Sequence, residues 1–304
     1  MSRYLVTGGS GRLGRSVVEV LALAGHEVVS IDRVAHAGLR AAQHELDLSD
    51  AAATRALVAS IAPDAIIHLA AIAVPFGSPD PELYATNTGL AFTVLDAALS
   101  AGVGSLLVAS SPTVIGYGAP AGWLPDYLPI DEKHPVAPWN GYSLSKHAVE
   151  NIVAMAARAH GSDITVGSFR PCFVIAPEEW RGAPTQQGHT VLERLENPEL
   201  SAVALFNYVD ARDAGEFVLA WLDHRDRVPN GSCFFVGAQD SLVVEPVDAA
   251  IARYLPGLGS FTTQLGPASA VFDSGLAREL LGWQAQRSWR TELANAHVLV
   301  REGA

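Results

Sequence analysis

Over the first 170 positions, apolar residues fall in short unbroken runs separated by longer stretches with three-to-four-residue apolar spacing. The runs lie at Arg3 to Val6, Glu27 to Ile31 (EVVSI), Ala65 to Leu69 (AIIHL), Ser105 to Ala109 (SLLVA) and Ile164 to Phe169. They lack inside/outside alternation, the pattern of strands buried on both faces. Between them, Gly14 to Ala24 places Val17, Val18, Leu21 and Ala22 along one helical face, with Gly25 where a C-cap glycine stands. Ser49 is positioned to cap a helix that runs to about Ile61 and breaks at Pro63-Asp64. Asp80-Pro81 reads as an N-cap with proline at the first helical position, opening a helix to about Ala101 that Gly102 stops. A long helix spans Tyr142 to His160. This alternation predicts an α/β fold: a doubly wound parallel sheet covered by helices on both faces.

The rhythm changes after residue 170. Cys172 to Ala204 carries few strand signals, a helix resumes at Ala211 to Leu222, and a strand follows at Cys233 to Val236. The tail from about Ser241 reads as short strands and two helices. The expected division is a sheet-bearing domain over 1–171, rejoined by 207–237, and a smaller C-terminal cap built from 172–206 and 238–304.

A formal net charge of -12 leaves no basic footprint for nucleic acid or an anionic membrane. The longest apolar run, near AIIHLAAIAVPF, is too short to span a bilayer, and no basic-then-apolar leader precedes the first strand. The two cysteines, Cys172 and Cys233, sit far apart in apolar runs and have no metal-ligand spacing, and no metal cluster is expected. A cytoplasmic protein is the expectation.

Residues 7–14 read TGGSGRLG, directly between the first strand and the first helix. Gly8 suits the tight turn, Gly11 the close approach of a pyrophosphate, and Gly14 close helix–strand packing, with the phosphate meeting free N–H groups at the helix N-terminus. Asp32 follows Gly14 by 18 residues, at the end of the second strand, where an acid binds ribose hydroxyls. Asp32 opposes a 2′-phosphate and favours NAD; Arg33 beside it could clamp that phosphate, which leaves NADP open.

The chain has two lysines, and one of them, Lys146, stands four residues after Tyr142, on the same face of the long helix. A phenol titrates near ~10, too high for a base at neutral pH. A neighbouring ammonium is expected to lower that value and to hold a nicotinamide ribose.

Taken together, these motifs resemble the extended short-chain dehydrogenase/reductases, the NAD-dependent epimerase/dehydratase family. The likeness runs through DLSD (47–50), HLAA (68–71), TNTGL (86–90), SSPTVIG (110–116), IDEKHPVAPWNGYSLSK (130–146), FRPCFVIAP (169–177), YVDARDAGE (208–216) and ARELLGW (277–283). It implies a Rossmann domain with a smaller substrate domain. It implies that Ser111 bonds the reacting oxygen, Tyr142 transfers the proton and Lys146 supports it. It places Asp47 and Leu48 beside the adenine, Asn87 in the wall near the nicotinamide, and Arg12, Leu13, Leu69, Ala70, Ala71 and Pro171 around the cofactor. His68 is expected to pack in its strand. The helices over 81–101 and 142–160 are apolar on more than one face, and family members pair such helices, so a homodimer is expected.

Departures from the family pattern bear on the substrate. Val114-Ile115-Gly116 stands where nucleotide-sugar members carry VYG, Phe173 where they carry an asparagine, and LSAVALFN lacks their diphosphate arginine. Uronate dehydrogenases are similar locally: a serine pair (Ser110, Ser111), then Ile115, Gly116 and Tyr117, and an arginine beyond a proline-acid turn, here Arg181. Their Asn-His is Pro112-Thr113 here. Ser111, Thr113, Phe173 and Arg181 are the expected substrate contacts. The resulting expectation is an NAD-dependent oxidoreductase acting on a small sugar or sugar acid. The alternatives are a nucleotide-sugar epimerase or reductase, and a non-catalytic dinucleotide sensor, against which the retained Tyr142/Lys146 pair argues.

Overall fold

The computed structural model describes residues 1–294. Its centre is a seven-stranded sheet in the order β3-β2-β1-β4-β5-β6-β9, with every pairing parallel. The strands are β1 Arg3–Thr7, β2 Glu27–Asp32, β3 Ala42–Glu45, β4 Ala65–His68, β5 Ser105–Ala109, β6 Thr165–Pro171 and β9 Cys233–Val236. Helices α1 (Arg12–Leu23) and α8 (Ala211–His224) pack together on one face, while α2 (Ala51–Ile61), α3 (Asp80–Ser100) and α4 (Gly141–His160) cover the other. Tyr4, Val6 and Ile67 point into the first layer; Leu5, Ile66 and Leu106 point into the second. That two-sided burial explains why the strands read as unbroken apolar runs.

A smaller two-stranded sheet, β7 (Val174–Ile175) with β8 (Val209–Asp210), lies beyond β6. The short helices α5 (Pro177–Trp180), α6 (Val191–Glu196) and α7 (Glu199–Ala202) fall between those two strands in the chain. The helices α9 (Val247–Tyr254) and α10 (Gly275–Leu281) follow β9.

Several local expectations are corrected. Asp50, not Ser49, caps α2, accepting a hydrogen bond from the Ala53 N–H at 3.0 Å. Pro79, not Asp80, holds the N-cap position of α3, and no side chain caps it. Strand β3 was not expected: AQHE has no apolar run, because an edge strand needs burial on neither side. The short strands expected after Ser241 are absent among the described residues; that region holds helices and a 3-10 segment at Pro256–Gln264, with one bridge between Ile130 and Phe272. The last part of the expected tail, 295–304, lies outside the described residues.

Candidate active site

Parallel strands present their C-terminal ends along one edge, and the sheet order reverses between β1 and β4, where a crevice opens. A cleft of about 1560 Å³ lies along this edge. The glycine turn enters it first. Gly8 sits at φ +75, and a Cβ there would lie 2.7 Å from the Ala70 nitrogen. A Cβ on Gly14 would lie 2.1 Å from the Gly8 carbonyl oxygen. Backbone, not side chain, therefore forms this wall. Ser10 Oγ and Arg12 Nε are buried here without a hydrogen-bond partner. An exposed glycine cradle, unspent donors and a helix N-terminus together fit a dinucleotide pyrophosphate.

The expected cofactor residues converge. Gly8, Gly11, Arg12, Leu13, Gly14, Asp32, Arg33, Asp47, Leu48, Leu69, Ala70, Ala71, Tyr142, Lys146 and Pro171 all line the cleft. The Asp32 carboxylate accepts from the backbone N–H groups of Ser10 (3.1 Å) and Arg33 (2.7 Å), which fixes it at the mouth of the turn. The Ser49 backbone N–H holds the Asp47 carboxyl below its ordinary range. Asn87 stands behind the wall instead of in it. It is buried, bonds both backbone groups of Ile72 and donates to Ser145 Oγ at 3.0 Å, so it ties the 70–72 loop to α4.

At the far end of β5, Ser111 accepts hydrogen bonds from the Thr113 N–H (3.3 Å) and Thr113 Oγ1 (2.9 Å). Ser111 is also the neighbour that pulls the Tyr142 phenol downward. Asn140 caps α4, accepting from the Ser143 N–H at 2.9 Å, and so sets the first turn from which Tyr142 enters the cleft. Lys146 follows one turn later; its Nζ donates to the Ala109 carbonyl at 2.9 Å. Tyr142, Lys146 and Ser111 are all buried, at 8%, 5% and 6% exposure.

Electrostatics correct one expectation. Burial raises the Tyr142 phenol above its ordinary value, and the Ser111 hydrogen bond only partly opposes it. The depression expected from Lys146 does not appear; its Nζ lies 5.9 Å from the ring centroid and its hydrogen bond goes to the Ala109 carbonyl. Burial lowers Lys146 itself to about 8, against an upward pull from Glu150. His68, as expected, packs in its strand. It is hydrogen-bonded to Thr7 Oγ1 at 2.7 Å and lowered to about 3 by burial and by the charge of Lys146.

The substrate candidates divide. Ser111, Thr113 and Phe173 line the cleft, but Arg181 does not. Arg181 is exposed at the C-cap of α5, whose Glu178 and Glu179 pair with Arg15 and Arg12 of α1. Those pairs pin α5 against α1 and leave Arg181 outside. The wall near Phe173 was not legible in advance. Arg194, 1% exposed, stacks 4.4 Å behind the Phe173 ring. Trp123 and Trp139 also line the cleft, beside Tyr117. Trp139 Nε1 donates to the Tyr117 carbonyl at 3.1 Å.

This combination of a parallel sheet, a glycine cradle at its switch point and a serine–tyrosine–lysine set defines a nicotinamide-dependent enzyme. The chain belongs to the NAD dependent epimerase/dehydratase family, whose model matches residues 4–237. It is 28% identical to the UDP-glucose 4-epimerase of Streptomyces lividans, over 94% of this chain and 92% of that one. It is 30% identical to that of Mycolicibacterium smegmatis, over 93% and 94%. Among solved structures it resembles a short-chain dehydrogenase/reductase superfamily protein from Agrobacterium tumefaciens with bound NAD (TM-score 0.72, 23% identity, 99% and 97% covered). It also resembles the UDP-glucose 4-epimerase of Thermotoga maritima with UDP-glucose (TM-score 0.72, 18% identity, 99% and 100% covered).

Proposed function

We propose that the protein catalyses NAD-dependent hydride transfer at a secondary alcohol of a sugar-type substrate, in the cytoplasm. The observation that carries this reading is the meeting of Ser111, Tyr142 and Lys146 on the cleft that the glycine cradle enters. When bound, NAD supplies the hydride acceptor. Tyr142 takes the hydroxyl proton, Ser111 orients the oxygen, and Lys146 favours the phenolate once cofactor and substrate displace it from the Ala109 carbonyl. Asp32 holds the adenosine ribose. The buried, low-polarity surroundings strengthen each of these interactions.

A second reading, nucleotide-sugar 4-epimerisation, is supported by the relatives named above. It uses the same first step and then returns the hydride to the opposite face, with no net change in cofactor. The sugar-acid variant loses its support, since Arg181, its carboxylate anchor, stands outside the cleft. One experiment separates the readings. The protein with NAD is given glucose, glucuronate and UDP-glucose, while absorbance of reduced cofactor and the sugar products are followed together. Net NADH from a free sugar supports the oxidoreductase; UDP-galactose without net NADH supports the epimerase. Turnover that survives in Tyr142→Phe overturns the mechanism in both.

A further inference from the structure

Two consecutive residues at the end of β5 are tied to one face of α4. The Ala109 carbonyl accepts from Lys146 Nζ at 2.9 Å, and Ser110 Oγ donates to Glu150 Oε1 at 2.6 Å. Tyr142, Lys146 and Glu150 are spaced i, i+4, i+8, so successive turns of one helix make the two ties and present Tyr142 beside them. The hydroxyl of Ser110 has one proton, and its two acceptors are Glu150 Oε1 at 2.6 Å and the Lys146 carbonyl at 3.4 Å. The short contact to a carboxylate wins.

Glu150 is itself locked from the next strand. Arg170 of β6, 4% exposed, grips it bidentately, Nε to Oε1 at 2.7 Å and Nη2 to Oε2 at 2.9 Å. The guanidinium carbon lies 5.0 Å from the Phe235 ring centroid of β9. Around the pair stand His147 on α4 (3.8 Å), Cys233 on β9 (3.6 Å), and Glu132, whose Oε1 accepts from the Phe235 N–H. On the cleft side, Lys146 is faced by Tyr142 and by neutral His68. Fixing a bidentate guanidinium–carboxylate pair in the interior is costly unless geometry is good and the charges are matched.

From this arrangement we infer that Glu150, clamped by Arg170, is a positioning residue for the proton transfer: it seats the Ala109–Ser111 corner against α4 and supplies the negative charge that accompanies the Lys146 ammonium. The inference rests on the reading of Tyr142 and Lys146 given above. Glu150 touches no reacting atom; it acts through Ser110 and Lys146. The upward pull that Glu150 exerts on Lys146 agrees with this role.

The test needs no substrate. Lys133 and Lys146 are the two lysines of the chain, so NMR titration of lysine-labelled protein gives two signals, and Lys146→Arg assigns them. In the wild type the Lys146 midpoint should fall near 8. Glu150→Gln strands the Arg170 charge and could unfold the protein, so Glu150→Gln/Arg170→Met, which removes both charges, is measured beside it. In that double variant, folded by circular dichroism, the Lys146 midpoint should drop below that of the wild type, because the carboxylate that favours its ammonium is gone. Glu150→Asp keeps the charge and should stay near the wild-type midpoint. An unmoved midpoint in the folded double variant overturns the inference, as does a Glu150→Asp shift as large as that of the double variant. If the midpoint moves as expected but Tyr142→Phe still turns over, the Glu150 network stands and the catalytic reading falls.

Discussion

The Lys146 ammonium lies 5.9 Å from the centroid of the Tyr142 ring, one helical turn away, yet its hydrogen bond goes to the Ala109 carbonyl. The two proposed catalytic residues are therefore adjacent, with the ammonium hydrogen-bonded to backbone. Burial keeps the phenol protonated in this state. Tyr142→Phe should lower kcat by on the order of 10²–10⁴, the usual cost of losing a positioned acid/base group. Calorimetry on the same variant should show NAD affinity close to wild type, because the ring and its packing remain.

We expect cofactor choice to depend on Asp32 and Arg33. Asp32 is held by two backbone N–H groups and opposes a 2′-phosphate, so NAD should bind more tightly than NADP. Asp32→Ala should narrow the difference and Arg33→Ala should widen it. Tighter NADP binding by the wild type would show that Arg33 governs this end of the cleft.

Gly14→Ala probes the cradle by packing alone. The added methyl would meet the Gly8 carbonyl at 2.1 Å and the Gly9 Cα at 2.7 Å, both backbone atoms that cannot swing aside. Overpacking of this kind costs about 1–3 kcal/mol. A lowered Tm together with weakened NAD binding is the expected result. Gly25→Ala, where nothing lies within 4 Å but φ is +85, should lower Tm without touching NAD affinity.

Stability should fall in mild acid. His68 is lowered to about 3 in the folded protein, against about 6.5 when unfolded, so between those values the unfolded chain binds the extra proton. Folding stability is then lost as pH drops below about 6.5, at up to about 1.4 kcal/mol per pH unit. Glu150, lowered to about 2 chiefly by Arg170 against its own burial, adds a second loss below its unfolded value of about 4.5. Urea midpoints measured for the wild type and His68→Gln should differ in slope between pH 6.5 and 4.5, with the variant flatter. Equal slopes would mean that His68 is protonated in the fold.

The homodimer expected from the sequence remains a proposal with a clear target. Phe92 on α3 and Leu144 on α4 are 50% and 46% exposed on two helices that pack together. Phe92→Glu and Leu144→Glu should convert a dimer to a monomer in light scattering. A wild type that elutes as a monomer would discard the idea.

The sequence made most of the first 170 residues legible because local signals and tertiary demands agree there; the edge strand β3, with no apolar run, is the exception. Strands such as AIIH are apolar on both faces, and the glycine turn stands where a strand meets a helix. Tyr142 and Lys146 were legible because helical spacing alone brings them together. Glu150 and Arg170 were not, although Glu150 continues the same spacing: a carboxylate on a helix reads as solvated until a strand 20 residues away places a guanidinium against it. β7 and β8 were missed because two-residue strands are defined only by their partner, here 35 residues distant. Arg181 was misplaced because its position follows from two ion pairs between α5 and α1, which no spacing along the chain discloses.

The pairing of β6 with β9 has a kinetic consequence. Ser168 lies opposite Cys233, so the last rung of the main sheet joins residues 65 apart, across β7, β8 and α8. A nascent chain cannot close that rung until residue 236 has been synthesised, and until then β6 presents a bare parallel edge. Closure of long loops slows folding, and bare edges invite intermolecular pairing. Refolding should therefore be slow and concentration-sensitive, and chains truncated before Cys233 should aggregate instead of folding into a smaller sheet.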